Sequence, residues 1–225
     1  MRVSYVVLRF TSPFHVGRWS LMDSYDYIPS DTVYSALQSL SAATGIAMPE
    51  RVSSAYPVDS LAQGVDVKLG VPVPATWKID AFKRGLGGKH VKRARFMPLA
   101  CLNGGKVDTS DGSFSCVLPT GEKIDLGHWP PGGVGAKAAI PRNRLSRHIL
   151  NADPYRVAAF MPNVPYVVYF QGGDKRLFEL LGAVGIGGER AGGKGELEGG
   201  GAGEGGVPDG GGRAGVVGGG RAGKF

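Results

Sequence analysis

From Gly199 to Phe225 more than half of the residues are glycine, and large apolar side chains are almost absent. Ordering glycine costs more backbone entropy than ordering any other residue, and this stretch has little to bury in return. It is therefore expected to be a flexible tail, and residues 1–198 must supply the core. Those residues are equipped to do so. The chain has 225 residues, of which 42% are hydrophobic, enough for one large domain or two small ones. No run approaches the apolar length that crosses a bilayer. The N-terminus MRVSYVVLRF lacks a small-residue cleavage site and alternates like a strand, so a cytoplasmic protein is expected.

Val3 to Phe10 is rich in β-branched and aromatic residues and reads as a strand. After a connection containing Phe14-His15-Val16-Gly17, Pro29-Ser30-Asp31-Thr32 marks a helix start, with Ser30 or Asp31 as N-cap. Val33, Leu37 and Leu40, with Tyr34 and Ala36 beside them, form its apolar face, and Gly45 stops it. Val52 to Val58 is extended, and its proline suits a sheet edge or a loop. Val71-Pro72-Val73-Pro74 is extended as well. Arg156 to Phe160 and Tyr166 to Phe170 read as two strands. Asp174 opens a helix carrying Leu177, Phe178, Leu180 and Leu181, weakened or ended by Gly182 and Gly185.

Lys and Arg number 26 against 19 Asp and Glu, a net charge of +7. Such an excess favours polyanionic partners, nucleic acid above all. Its distribution is uneven. Lys78 to Arg95 holds seven cations and one acid, Asp80, interrupted by Gly85, Gly87 and Gly88. A stretch so charged is expected to project as a basic loop or hairpin, with Trp77, Phe82, Phe96 and Met97 placed to wedge between bases or stack on them. Asn103 to Lys137 is rich in turn formers. Lys78 to about Leu150 is accordingly read as one insertion outside the core. Without insertion and tail, the order is strand, helix, strand, then strand, strand, helix, strand. That is close to the α+β ferredoxin-like (RRM-like) pattern, an antiparallel sheet backed by two helices. Cys101 and Cys116 have no metal-ligand spacing and are expected to be two buried or partly buried thiols, a disulfide remaining open.

The densest constellation is GIGGERAGGKGELE at 185–198. Gly187, Gly188, Gly192, Gly193 and Gly195 surround Arg190 and Lys194. The glycines let backbone N–H groups close on a ligand, and the cations suit phosphate, making a nest for a sugar–phosphate backbone. Gly188 and Gly193-Lys194 also match GxxxxGK. However, Gly195 stands where a P-loop needs the hydroxyl that holds Mg²⁺, and the loop follows a helix rather than a strand. Arg142, Arg144 and Arg147 form a second cluster suited to RNA. His15 is the candidate general base for RNA cleavage, but no Tyr, Lys and His set accompanies it. No paired carboxylates, Ser-His-Asp order or metal cluster stands out, and no cofactor is expected.

Six stretches in order carry a resemblance: FHVG at 14–17, YIPSDTVYSAL at 27–37, VSSAYP at 52–57, KHVKRARFMPL at 89–99, PRNRLSR at 141–147 and GIGGERAGGKGELE at 185–198. Together they resemble the RAMP superfamily of CRISPR proteins, most closely the family of the fourth subunit of type III-A (Csm) effector complexes. The resemblance spans nearly all of residues 1–198. It implies a non-catalytic subunit that holds the 5′ handle of the CRISPR RNA and contacts the large cyclase-like subunit and the backbone subunit. By matching position, His15, Ser30, Arg142, Arg144, Arg147, Gly187, Gly188, Arg190, Gly192, Gly193, Lys194 and Gly195 would lie on or near the handle. Lys92, Arg93 and Arg95 would belong to a protruding thumb. Family members usually continue into a second domain, where this chain has its glycine-rich tail. The alternatives are a RAMP endoribonuclease that processes repeat RNA through His15, and a nucleotide-binding protein acting through the loop.

Overall fold

The computed structural model describes residues 3–17, 23–62, 64–144, 153–186, 195–197 and 221–222. Its central sheet is antiparallel. β1 (Val3–Phe10) pairs with β10 (Tyr166–Gln171) on one side and with β11 (Gly195–Leu197) on the other. β2 (Arg51–Pro57) follows β10, giving the order β11-β1-β10-β2, with β2 at the edge its proline suggested. β12 (Arg221–Ala222), the described part of the tail, pairs with β1 at Val3 and Ser4.

Strand alternation assigns the two faces. Val6, Leu8 and Phe10 of β1 and Tyr166, Val168 and Phe170 of β10 face α1 (Ser30–Thr44) and α6 (Arg176–Val184). Val33 and Leu37 of α1 and Leu177, Phe178 and Leu181 of α6 are buried against them. The expected helical stripe is thus present, except that Tyr34 turns outward and is 42% exposed. The N-cap position of α1 is Pro29, one residue before the expected caps. The Asp31 carboxylate accepts from the neighbouring Thr32 N–H instead. Gly45 ends α1 in the left-handed conformation at φ 71°, its N–H donating to the Ser41 carbonyl at 2.8 Å.

The other sheet face carries Val3, Tyr5, Val7, Tyr56, Val167 and Tyr169, and it is covered by the insertion. The chain between β2 and β10, which includes the expected insertion, comprises α2 (Val65–Lys68), β3 (Gly70–Pro72), α3 (Ala75–Lys83), α4 (Gly88–Arg93), β4 (Phe96–Pro98) and α5 (Leu99–Leu102). A meander of β5 (Lys106–Asp108), β6 (Ser115–Val117) and β7 (Lys123–Asp125) follows, then a long hairpin of β8 (Gly135–Arg144) and β9 (Asp153–Pro162).

Four sequence expectations are corrected here. The stretch from Lys78 to Arg95 is not a loop or hairpin but two short helices. Short charged helices need a tertiary dock, and Ala81, Leu86 and Ala94 supply one, buried with Trp77 and Val91 against them. Gly85 and Gly87 lie in the turn between α3 and α4, and Gly88 is the first residue of α4. The insertion is not outside the core either: Ala81, Leu86, Ala94, Met97, Leu99, Phe114 and Leu126 belong to a cluster continuous with the sheet. Its register is fixed by the Tyr169 hydroxyl, which donates to the Gly70 carbonyl at 3.0 Å. Finally, Arg156 to Phe160 joins β8 rather than the central sheet. Cys101 and Cys116 form a disulfide between α5 and β6, with Cα atoms 6.2 Å apart, and are not two separate thiols.

Candidate nucleic-acid interface

One end of the central sheet gathers residues distant in sequence. There β1 finishes and β10 begins, and Gly195, the first residue of β11, pairs with Phe10. The glycine-rich stretch therefore enters the sheet at this end. Its residues Gly187, Gly188, Arg190, Gly192, Gly193 and Lys194 lie outside the described residues, and Gly195 is known by its backbone pairing. Five residues beyond Phe10, His15 sits against β9, its Nδ1 donating to the Ala158 carbonyl at 2.5 Å. The carbonyl can only accept, so the proton is on Nδ1 and Nε2 is the nitrogen left for other partners. Phe14 fixes this geometry. It is fully buried, exchanges backbone hydrogen bonds with Phe160, and stacks on Phe10, Phe160 and Tyr166 at 5.1–6.2 Å.

Tyr166 links this corner to the basic segment. Its hydroxyl donates to the Asp26 carbonyl at 2.7 Å, and the Asp26 carboxylate in turn holds the Arg95 guanidinium. Burial pushes the Tyr166 phenol well above its ordinary range, so it remains a donor. Arg95 also lies over the rings of Tyr27, at 6.0 Å, and Phe96, at 5.4 Å, a cation–π arrangement. Tyr25, Tyr27, Tyr56 and Phe96 form a chain of ring contacts spaced 5.0–6.3 Å. Burial raises the phenols of Tyr27 and Tyr56, while burial and then Arg95 lower the Lys78 ammonium. The aromatic strip was not singled out from sequence. The available signal was the alternation Tyr25-Asp26-Tyr27, which places both rings on the side opposite Ile28. Ile28 is buried in the helix-side cluster and bridges to Ala55 of β2.

The remaining candidates divide. Lys92 and Arg93 are exposed on α4, and among the described residues they make no ion pair. Arg95 is committed to Asp26 and the aromatic strip, with 44% of its side chain exposed. Ser30 begins α1, and its N–H donates to the Ser54 hydroxyl at 3.0 Å. Arg142 and Arg144 occupy the far end of β8, opposite Tyr155 and Asp153. From Ala158, whose carbonyl His15 meets, β9 runs about 10 Å back to Tyr155 and about 17 Å to Asp153, so Arg144 stands further from the His15 corner than Arg142 does. Arg147 lies outside the described residues. Among the described residues no group of His, Cys, Asp and Glu could hold a metal ion, and no helix is long and apolar enough to cross a membrane.

No protein-family model and no curated protein matches the chain. Three crystal structures of a Csm1–Csm4 cassette are similar to it. For the complex with cA4 the identity is 17% and the TM-score 0.45, covering 81% of this chain and 67% of the matched one. For the complex with AMPPNP the values are 15% and 0.39, covering 79% and 62%. For the complex with pppApA they are 16% and 0.42, covering 81% and 66%. The chain is similar to chains of Csm1–Csm4 cassettes and spans about two thirds of their length.

Proposed function

We propose that this chain is an RNA-binding, non-catalytic subunit of a type III-A CRISPR effector complex, holding the 5′ handle of the CRISPR RNA. The strand order β11-β1-β10-β2 with two helices on one face is read as ferredoxin-like, the arrangement the sequence motifs imply. The observation that carries the reading is the sheet end where Gly195 pairs with Phe10 and where His15 and, through Tyr166, the Asp26–Arg95 clasp come together. Phosphates would be bound by Arg190, Lys194 and backbone N–H groups of the loop, with Lys92 and Arg93 extending the track. The large cyclase-like subunit and the backbone subunit are the expected partners. His15 acts in this reading as a tie between β1 and the β9 strand rather than as a base.

Handle RNA binding measured against salt tests the proposal. Each phosphate contact on a single strand contributes about 0.7 to the slope of log K against log salt. The double substitution Lys92→Ala with Arg93→Ala should lower the slope by about 1.4 and Arg190→Ala with Lys194→Ala by a similar amount. Unchanged slopes in both would sink the reading. Metal-free cleavage of repeat RNA that disappears in His15→Ala would establish the endoribonuclease alternative instead.

A further inference from the structure

α3 presents two apolar side chains to water on a face the fold does not use. Ile79 and Phe82 are 53% and 65% exposed. They stand three residues apart in one helix and so lie side by side. The same helix buries Ala81 and packs Trp77 against the inserted core, so its docking is complete without them. The sequence offered Trp77, Phe82, Phe96 and Met97 alike as base-contacting residues. The fold withdraws three of them, since Phe96 and Met97 are buried and Trp77 is half-buried, and leaves Phe82.

The surroundings of that ring are chemically one-sided. Lys83, Arg84, Lys89, Lys92 and Arg93 are exposed and make no ion pair among the described residues. Asp80 is the one acid between residues 75 and 95. A stable protein interface buries about 800 Å² on each side around a cluster of apolar anchors. Two side chains on a nine-residue helix fall well short of that. One exposed ring among lysines and arginines is, by contrast, the full requirement for stacking an unpaired base whose flanking phosphates need cations. Bases in a duplex are stacked on each other and cannot use it.

We propose that the outer face of α3 is a stacking site for unpaired RNA. Phe82 receives a nucleobase on its ring, Ile79 backs it, and Lys83 and Arg84 with the α4 cations take the adjoining phosphates. The proposal rests on the RNA-binding reading above and narrows it to single strands bound without strong base preference.

The test is fluorescence anisotropy of the full chain with labelled oligouridylate and oligoadenylate of about 12 nucleotides and with a duplex RNA of similar length. Phe82→Ala should weaken both single strands by about 5- to 100-fold with an unchanged salt slope, leave the duplex unaffected, and leave the thermal melt of this exposed position unchanged. Phe82→Trp should retain the affinity. Lys83→Ala with Arg84→Ala should instead lower the slope by about 1.4. Single-strand affinity unaltered by Phe82→Ala, or an equal loss on duplex, overturns the proposal. So does a Phe82→Ala chain that binds RNA normally but no longer joins a protein partner. If the unsubstituted chain binds neither kind of RNA, the broader RNA-binding reading falls as well.

Discussion

Replacing Tyr166 by Phe tests whether the sheet core positions the basic rim. The ring is fully buried against Phe10 and Phe14, and the substitution keeps it. What is lost is one hydroxyl, whose bond to the Asp26 carbonyl is 2.7 Å long. A carbonyl stripped of its buried donor costs about 1–2 kcal/mol. Asp26 is only half-buried, so water can partly replace the donor and the expected loss sits near the lower end, about 1 kcal/mol. Arg95→Ala should cost at most about 1 kcal/mol by itself, as a partly exposed ion pair does. The informative quantity is their coupling. If the Tyr166 hydroxyl holds Asp26 where Arg95 can reach it, the double variant loses less than the sum, with a coupling of about 0.5 kcal/mol or more. Urea denaturation of the four proteins measures this, provided the slope against urea is constant. Additivity within about 0.3 kcal/mol would mean that hydroxyl and ion pair act independently, and the argued link from core to rim would be refuted.

Other parts of the fold respond to simpler perturbations. Cys101 and Cys116 close a loop of sequence separation 15, so replacing both by Ala, or reducing them, should cost about 3 kcal/mol in a denaturation curve. Gly173 has φ 71°, and a Cβ there would lie 2.5 Å from the Pro49 nitrogen. Gly173→Ala should therefore lose at least about 2 kcal/mol. Hydrogen bonds from Lys123, and then from Ser110, hold the Asp108 carboxyl at about 2, and Lys123 also lowers Asp111. A depressed folded pKa gives a contribution fully present above the unfolded value of about 3.9 and lost as pH falls through the folded one. Carboxyl resonances of Asp108 should titrate near the lower value, and Lys123→Ala should return them towards the ordinary range.

The elements that proved legible are those whose local pattern agrees with their tertiary use. Val3 to Phe10 alternates because each of its sides packs on a different layer, and Val33 with Leu37 repeats at helical spacing because one stripe meets the sheet. Gly45 marked a helix end because only a left-handed residue closes that turn cheaply. The charged segment from Lys78 to Arg95 was misread because its apolar stripe is narrow. Small residues at 81 and 94 and one leucine at 86 are too sparse to register as a helical period, yet they suffice once a sheet is waiting to receive them. The β8–β9 hairpin was misassigned for a different reason. Strand propensity says that Arg156 to Phe160 is extended but not which neighbour it pairs with, and Gly135 to Arg144 offered a nearer partner. For the candidate site, the cations were legible as types. Which of them are spent could not be read, because the Asp26–Arg95 clasp joins residues 69 apart in sequence.

That distribution of spent and unspent groups decides where a polyanion can bind. Sheets that read single-stranded RNA on their open face expose aromatic rings there. Here Tyr5, Tyr56 and Tyr169 are on such a face, but the inserted core covers it, and the Tyr169 hydroxyl is consumed by Gly70. Burial also pushes the Tyr169 phenol upward, as expected of a structural rather than a ligand-facing ring. Substitutions on this face should therefore act through stability. The helices close the opposite face in the same way. In the proposed RNA-binding role, the surface that remains is the rim: the sheet end where Gly195 pairs, and the cations and exposed ring carried by the inserted segment. The segment that covers the sheet face is thus the same one whose outer side carries the proposed stacking site.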